Sequence, residues 1–159
     1  MSYLPEPSPA RKIVVDANVA ARIVLRFTDA PLHLALFEKW HVEQREVLAP
    51  SFWEAEVVSV IRQAIYRNEI NDLEGYQAVG DFFDLKVEAV PLDRELCQQA
   101  LDWAAKIQHS RVYDALYLSL AERMNAEFWT ADRKLAIAAQ SVGAKWARWT
   151  GEAAIQEKN

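Results

Sequence analysis

The sequence predicts an α/β fold in which a small parallel sheet is covered by helices on both faces. Short, largely apolar runs alternate along the chain with longer segments in which apolar residues recur at helical spacing. Such runs are typical of parallel strands buried on both faces, because the strands of a hairpin would alternate apolar and polar residues. With 159 residues, 52% of them hydrophobic, the chain can bury the core of one domain of ordinary size.

The first half of the chain is predicted to contain two strands and four helices. Ser51 with Glu54, and Asn71 with Glu74, have the spacing of a capping box, so each pair is expected to begin a helix. The predicted elements are a strand at residues 12–15, helices that begin at Asn18 and after Pro31, a strand at residues 47–49, a helix from Ser51 to about Arg67, and a helix from Asn71.

The second half is predicted to contain three strands and three helices. Asp93 is expected to cap the first of these helices, and Leu116, Leu120 and Met124 form one apolar stripe on the second. The predicted elements are a strand at residues 87–92, a helix at residues 93–107, a helix at residues 111–125, a strand at residues 127–130, a helix at residues 132–140 and a strand at residues 145–148.

Composition predicts one soluble domain in a reducing compartment. Residues 1–10 are expected to form a disordered, proline-rich lead, residues 11–150 the domain, and residues 151–159 a polar tail. Charged residues interrupt every apolar run before it could span a bilayer, so no membrane association is expected. The single cysteine, Cys97, excludes an intrachain disulfide and favours the cytoplasm. It lies on the apolar stripe of its predicted helix, so we expect a core position.

Charge and glycine usage exclude several functions. The formal net charge of -5 removes the global basic signature of a nonspecific nucleic-acid binder, although a local basic groove stays compatible with it. The four glycines form neither GxGxxG nor GxxxxGK, so the backbone cradles that hold dinucleotides or nucleoside triphosphates are absent from the sequence.

Four carboxylates are the candidate reactive groups: Asp16 after the first strand, Glu56 on the third helix, Asp114 near the start of a later helix, and Asp132 after the fourth strand. Each alone has an ordinary structural explanation as a helix cap, a helix-dipole partner or a solvated residue. Asp16 and Asp114, however, stand among apolar neighbours. Converging carboxylates repel each other unless a cation holds them, and oxygen ligands select Mg²⁺ or Mn²⁺ over Zn²⁺. The four carboxylates therefore predict a reaction at a phosphate group that is assisted by one or two bound metal ions.

Four motifs resemble the PIN-domain ribonucleases, in particular the VapC-type toxins of bacterial and archaeal toxin–antitoxin pairs. Their order and spacing match across about residues 12 to 140, and the last two blocks are the most specific. The motifs are VDANV at residues 15–19, APSFWEAEV at residues 49–57, VYDALYLSLAE at residues 112–122 and TADRKL at residues 130–135.

The resemblance implies a single PIN-like domain whose acidic pocket binds Mg²⁺ or Mn²⁺ and activates water against an RNA phosphodiester. It assigns the metal and catalytic roles to Asp16, Glu56, Asp114 and Asp132. Glu54 is the rival of Glu56, but two positions are about 200° apart on a helix, so both cannot face one pocket. The register of the motif favours Glu56.

The resemblance also assigns supporting residues. Asn18 and Thr130 would support the acids by hydrogen bonding, whereas Ser59 stands where the family commonly has asparagine, so one contact of the site is altered. Arg133 and Lys134 are the best candidates for contacts with RNA phosphates, because they directly follow Asp132. The three histidines, His33, His41 and His109, show no metal-ligand spacing and are left out of the site.

The resemblance further implies an RNA substrate, a cognate antitoxin protein and a homodimer. Trp40 and Trp53 are candidates to line a groove for an amphipathic segment of such a partner. Two other functions remain open at this stage. One is a catalytically degenerate PIN-like interaction module, and the other a haloacid-dehalogenase-like phosphatase that uses Asp16 as nucleophile, although Asn18 then replaces its second acid.

Overall fold

The central sheet has five strands, all of them parallel. The structure is a computed structural model that describes residues 11–156, so the predicted lead at residues 1–10 lies outside the described residues. The strands are β1 (Lys12–Val15), β2 (Glu46–Pro50), β3 (Glu88–Val90), β4 (Glu127–Thr130) and β5 (Ala147–Trp149). Their order across the sheet is β3-β2-β1-β4-β5, which confirms the predicted parallel α/β class.

Eight helices within residues 11–156 flank this sheet. They are α1 (Ala17–Val24), α2 (Ala30–Val42), α3 (Trp53–Tyr66), α4 (Asp72–Asp84), α5 (Arg94–Lys106), α6 (Tyr113–Met124), α7 (Arg133–Ser141) and α8 (Gly151–Gln156). The chain first moves outward from β1 to β3 and then returns to β4 and β5 on the other side. Since crossovers between parallel strands are right-handed, these two directions place α1–α4 and α5–α7 on opposite faces.

The reversal of direction between β1 and β4 creates a crevice at the carboxyl edge of the sheet. Val15 pairs with Trp129, and the backbone N–H of Asp16 donates a hydrogen bond to the Trp129 carbonyl at 2.9 Å. The connections after β1 and β4 then leave toward opposite faces. In open α/β sheets this switch point is where ligands bind, so the fold itself directs attention to the residues that follow these two strands.

Buried residues of β1, β4 and α6 hold the carboxyl edge of the sheet in place. Ile13, Val14 and Val15 are completely buried, as is Phe128 in β4. Helix α6 packs against β1, β2 and β4, and its residues 115–121 are buried around the whole circumference. This helix ends at Met124, and the left-handed backbone of the next residue, Asn125 (φ 50°), turns the chain toward β4. The acids at the edge therefore stand on rigid elements.

Two of the three predicted caps are present, and the third is wrong. Asn71 and Glu74 form a complete capping box at α4, and the side chain of Asp93 accepts a hydrogen bond from Leu96 N at the start of α5. Ser51 does not cap α3. Its backbone N–H donates instead to the Val90 carbonyl of β3 at 2.8 Å, and the helix begins after Phe52 without a side-chain cap. Pairing with the sheet edge extends the turn by one residue and removes Ser51 from the capping position.

The predicted burial of Cys97 is wrong, because the thiol side chain is exposed. The buried stripe of α5 consists of Leu96, Ala100, Trp103 and Ala104. Cys97 follows Leu96 by one position, which turns its side chain about 100° away from that stripe.

The predicted groove of tryptophans is also wrong. Trp40 is 1% exposed and packs on Trp129, with ring centroids 5.8 Å apart. Trp53 is 2% exposed and lies against Phe82 at 4.7 Å. Both rings therefore belong to the core, and neither can line a groove for a partner.

The segment predicted as a polar tail begins with ordered structure, since α8 packs against β5. A Cβ atom at Gly151 would overlap the ring of Trp149, so glycine permits this close approach. Among residues 11–156, none of the helices combines the length and apolarity that crossing a bilayer requires.

Candidate active site

The four predicted acids line one cleft of about 370 Å³ at the carboxyl edge of the sheet. Four separate elements contribute them. Asp16 directly follows β1, Glu56 lies in the first turn of α3, Asp114 lies in the first turn of α6, and Asp132 precedes α7. Residues up to 116 positions apart in the chain thus meet at the switch point of the sheet. The remaining lining residues are Ala17, Asn18, Ser59, Val60 and Gln63.

The hydroxyl of Thr130 connects the residues that follow β1 with those that follow β4. It donates a hydrogen bond to Asp16 Oδ2 at 2.9 Å, and it accepts one from Asn18 Nδ2 at 3.1 Å and one from Asp132 N at 3.0 Å. The side-chain Oδ1 of Asn18 accepts a hydrogen bond from Ala131 N at 3.1 Å. A hydroxyl has one proton and two lone pairs, so the two donors leave its proton directed at Asp16. Thr130 and Asn18 therefore fix the orientation of the Asp16 carboxylate.

Asp132 combines a structural role with its place in the cleft. Its Oδ1 accepts a hydrogen bond from Leu135 N at 3.1 Å and caps α7. Its backbone N–H is held by Thr130 at the same time. The capping interpretation and the site interpretation of this residue are thus compatible, because the cap fixes the side chain beside the cleft.

Glu56 is oriented by a residue that the sequence did not single out. The hydroxyl of Tyr117 donates to Glu56 Oε1 at 2.8 Å, and the Tyr117 side chain is fully buried. Burial, together with the neighbouring charges of Asp16 and Glu56, raises the pKa of Tyr117 well above its ordinary value, so this hydroxyl stays a donor. Burial also raises the pKa of Glu56, with a further contribution from Asp114. Glu54, two positions earlier, does not line the cleft.

Asp114 has a histidine partner that the sequence analysis excluded. His109 Nδ1 lies 3.3 Å from Asp114 Oδ2, in the segment between α5 and α6. Burial raises the pKa of Asp114, and the charge of Asp132 adds to this, whereas His109 acts in the opposite direction. No spacing rule relates these two residues, because the turn that joins them is irregular.

The electrostatics of the cleft favour a bound cation. Burial raises the pKa of Asp16 from 3.8 to about 7, and repulsion from Asp114 and Glu56 contributes to the same shift. Within residues 11–156, no three acidic, histidine or cysteine side chains already stand as a finished ligand set. Glu56 and Asp114 are instead held by Tyr117 and His109. The donor chemistry, carboxylate oxygens with an adjacent serine hydroxyl and amides, nevertheless fits Mg²⁺ or Mn²⁺.

The comparison with known proteins identifies the family. The family model of the PIN domain matches residues 13–140, which include all four acids of the cleft. The chain belongs to the PIN-domain family. It is also similar to Ribonuclease VapC12 from two strains of Mycobacterium tuberculosis, CDC 1551 / Oshkosh and ATCC 25618 / H37Rv. In each case 34% of 124 aligned residues are identical, covering 78% of this chain and 89% of the relative, and the predicted VapC-type resemblance is thereby confirmed.

The remaining predicted site residues of this PIN domain lie around the cleft. Ser59 is exposed and lines it, one turn of α3 after Glu56. Arg133 and Lys134 are exposed at the start of α7, and the Arg133 guanidinium lies over the Trp149 ring at 5.0 Å from the ring centroid. This cation–π contact limits the freedom of Arg133. Lys134 has no such ring contact within residues 11–156.

Proposed function

We propose that this PIN domain is a metal-dependent endoribonuclease and the toxin of a toxin–antitoxin pair. The observation that carries the proposal is the convergence of four carboxylates from four elements in one cleft. Relatives described as ribonucleases, which the chain matches over most of their length, support RNA as the substrate. The cytoplasm, favoured by the single cysteine, is part of the same proposal.

The chain's own residues would supply binding and orientation. Asp16, Glu56, Asp114 and Asp132 would hold Mg²⁺ or Mn²⁺. The ion, when bound, lowers the pKa of water and neutralises charge that develops on the phosphoryl oxygens. Thr130 holds Asp16 through its directed proton, and Tyr117 holds Glu56 in the same way. In the reaction water adds to phosphorus, one P–O ester bond breaks, and the leaving oxygen receives a proton.

Metal binding tests the proposal without knowledge of the RNA target. Mn²⁺ titrations by calorimetry are expected to give at least about tenfold weaker binding in Asp114→Asn and in Glu56→Gln, because each variant loses a charged oxygen ligand. Glu54→Gln is the matched control, since it makes the same chemical change two positions away and outside the cleft. Its affinity should equal that of the wild type.

Absence of Mn²⁺ binding by the wild type would contradict the nuclease proposal and favour the degenerate interaction module. The phosphatase alternative fares worse on geometry. It needs a second acid at position 18, where the Asn18 amide is engaged with Thr130 and Ala131. Metal binding that depends on Glu56, a helix residue, is not expected of that phosphatase either.

Homodimer formation and an antitoxin partner are further parts of the proposal. Leu73, Tyr76 and Phe83 are 76%, 77% and 57% exposed, and their spacing places them on one side of α4. Gly80 lies on the same side with open space above it. An exposed apolar stripe of this kind supports burial against a protein partner. Light scattering is expected to give twice the mass of one chain, and a monomer at all accessible concentrations would contradict the homodimer.

A further inference from the structure

A second cleft, of about 470 Å³, adjoins the acidic one. It shares Glu56 and Asp114 with the acidic cleft, so the two share a wall. Its own lining comes from the segment between α5 and α6 and from the first residue of α6: Gln108, His109, Ser110, Arg111 and Tyr113. This lining is basic, aromatic and polar, in contrast to the acidic floor beside it. A substrate held over the four carboxylates would therefore extend into a region of different chemistry.

Tyr113 presents an aromatic ring to this cleft. The side chain is 53% exposed, although it lies in the first turn of a helix whose residues 115–121 are all buried. Phe52 supports it on one side, with ring centroids 5.8 Å apart and planes at 63°. Phe52 in turn packs against the buried Tyr117 at 5.4 Å. Phe52 thus supports one side of the Tyr113 ring, while about half of the side chain stays exposed to solvent.

Arg111 supplies the positive charge of the cleft. It is exposed, and no acidic side chain within residues 11–156 forms an ion pair with it. The nearby carboxylates repel a polyanion, so a cation at the rim favours a phosphate at this point of approach. Arg133, the other arginine considered for RNA contacts, does not line this second cleft, and its guanidinium lies over the Trp149 ring.

We infer that residues 108–113 hold an unpaired nucleotide of the RNA next to the bond that is cleaved, with its base on Tyr113 and its phosphate on Arg111. This inference rests on the proposed ribonuclease function and names two residues, Tyr113 and Arg111, that would position the substrate beside the acids. Proteins that bind single strands combine aromatic rings, on which bases stack, with cations along the backbone. A base within a duplex stays stacked on its neighbours and cannot reach such a ring.

Kinetics on a randomised pool of single-stranded RNA test the role of Tyr113. In the presence of Mn²⁺, Tyr113→Ala is expected to raise the apparent KM by about 5- to 150-fold, the loss typical of one stacked base, with little change in kcat. Tyr113→Phe keeps the ring and its contact with Phe52, so it should retain the wild-type KM. Mn²⁺ affinity, measured for each variant, should not change.

The salt dependence of 1/KM tests Arg111. Each neutralised phosphate of a single strand contributes about 0.7 to the slope of log affinity against log salt, so Arg111→Gln should reduce the slope by about that amount. Arg11→Gln is the matched control. Arg11 precedes β1 at the opposite edge of the sheet, where it pairs with Glu46 at 3.5 Å. That variant removes the same charge and should leave the slope unchanged.

The outcomes separate this inference from the proposed function. A wild type that cleaves the pool, with Tyr113→Ala and Arg111→Gln both equal to it in KM and slope, would overturn the nucleotide site alone. A wild type that binds Mn²⁺ and cleaves none of the pool would overturn the ribonuclease proposal. Loss of Mn²⁺ affinity in Tyr113→Ala would mark Tyr113 as a support of the acidic cleft and overturn its role in stacking.

Discussion

Asp16→Asn is expected to lower the rate of RNA cleavage by about a thousandfold. Asp16 lines the cleft, is 6% exposed, and has its carboxylate fixed by a hydrogen bond from Thr130. The amide of asparagine keeps an oxygen for Thr130 but loses the negative charge that a divalent ion needs. Metal ions contribute several kcal/mol to phosphoryl transfer, and about 1.4 kcal/mol corresponds to a factor of ten in rate.

The cleavage rate of Asp16→Asn needs a control variant in which an aspartate outside the cleft is replaced by asparagine. Asp102→Asn provides it, because Asp102 is exposed on α5 and does not line the cleft. Cleavage of the randomised RNA pool in Mn²⁺ should be unaffected in this control and lost in Asp16→Asn and Asp114→Asn. Circular dichroism establishes that each variant is folded. A folded Asp16→Asn, Asp114→Asn double variant with full activity would refute the proposed mechanism.

The positions of Asp16 and Asp132 could be predicted from local sequence, whereas Thr130 was implied only by the resemblance to the PIN-domain ribonucleases. Asp16 directly follows β1 and Asp132 comes shortly after β4, and the carboxyl ends of parallel strands meet at one edge of a sheet. The strand order then brings β1 beside β4. Helical periodicity predicted that Glu54 and Glu56 could not both face the cleft. The register of the motif that resembles the PIN domain then favoured Glu56, which lines the cleft, whereas Glu54 does not.

The contacts of Tyr117 and His109 could not be predicted in the same way. Tyr117 reaches Glu56 across 61 positions of sequence, and this contact depends on how α3 and α6 pack together. On sequence alone Tyr117 is indistinguishable from an ordinary core aromatic of a buried helix. His109 reaches Asp114 through an irregular turn that no periodicity describes. Tertiary packing decides such pairs, so only the structure reveals them.

The same Asp16→Asn substitution is expected to stabilise the metal-free protein above about pH 7. Burial, with repulsion from Asp114 and Glu56, raises the pKa of Asp16 from 3.8 to about 7. As the pH rises from about 4, the unfolded chain releases this proton while the folded chain still holds it. The free energy of unfolding therefore decreases between about pH 4 and pH 7, and the full penalty is present above that range.

Asparagine removes this penalty, because it cannot ionise. A change of pKa from 3.8 to about 7 corresponds to at most about 4 kcal/mol. We expect a gain of about 2 to 4 kcal/mol in the free energy of unfolding at about pH 8, and little difference at about pH 4. Urea denaturation in the presence of a chelator measures both values. Asp102→Asn again serves as the control and should show no such gain.

Mn²⁺ is expected to reverse the order of stability. A ligand that binds only the folded state adds about 4.1 kcal/mol at a concentration one thousand times its Kd, which exceeds the expected gap, and Asp16→Asn should gain little because it lacks this charged ligand. The carboxylate that destabilises the metal-free fold is therefore the one that stabilises the loaded fold. Equal stability of wild type and Asp16→Asn at about pH 8, with and without Mn²⁺, would contradict both claims: that the buried Asp16 carboxylate destabilises the metal-free fold, and that it binds the ion. If Mn²⁺ reverses the order of stability, the same carboxylate that destabilises the metal-free fold is the one that binds the ion.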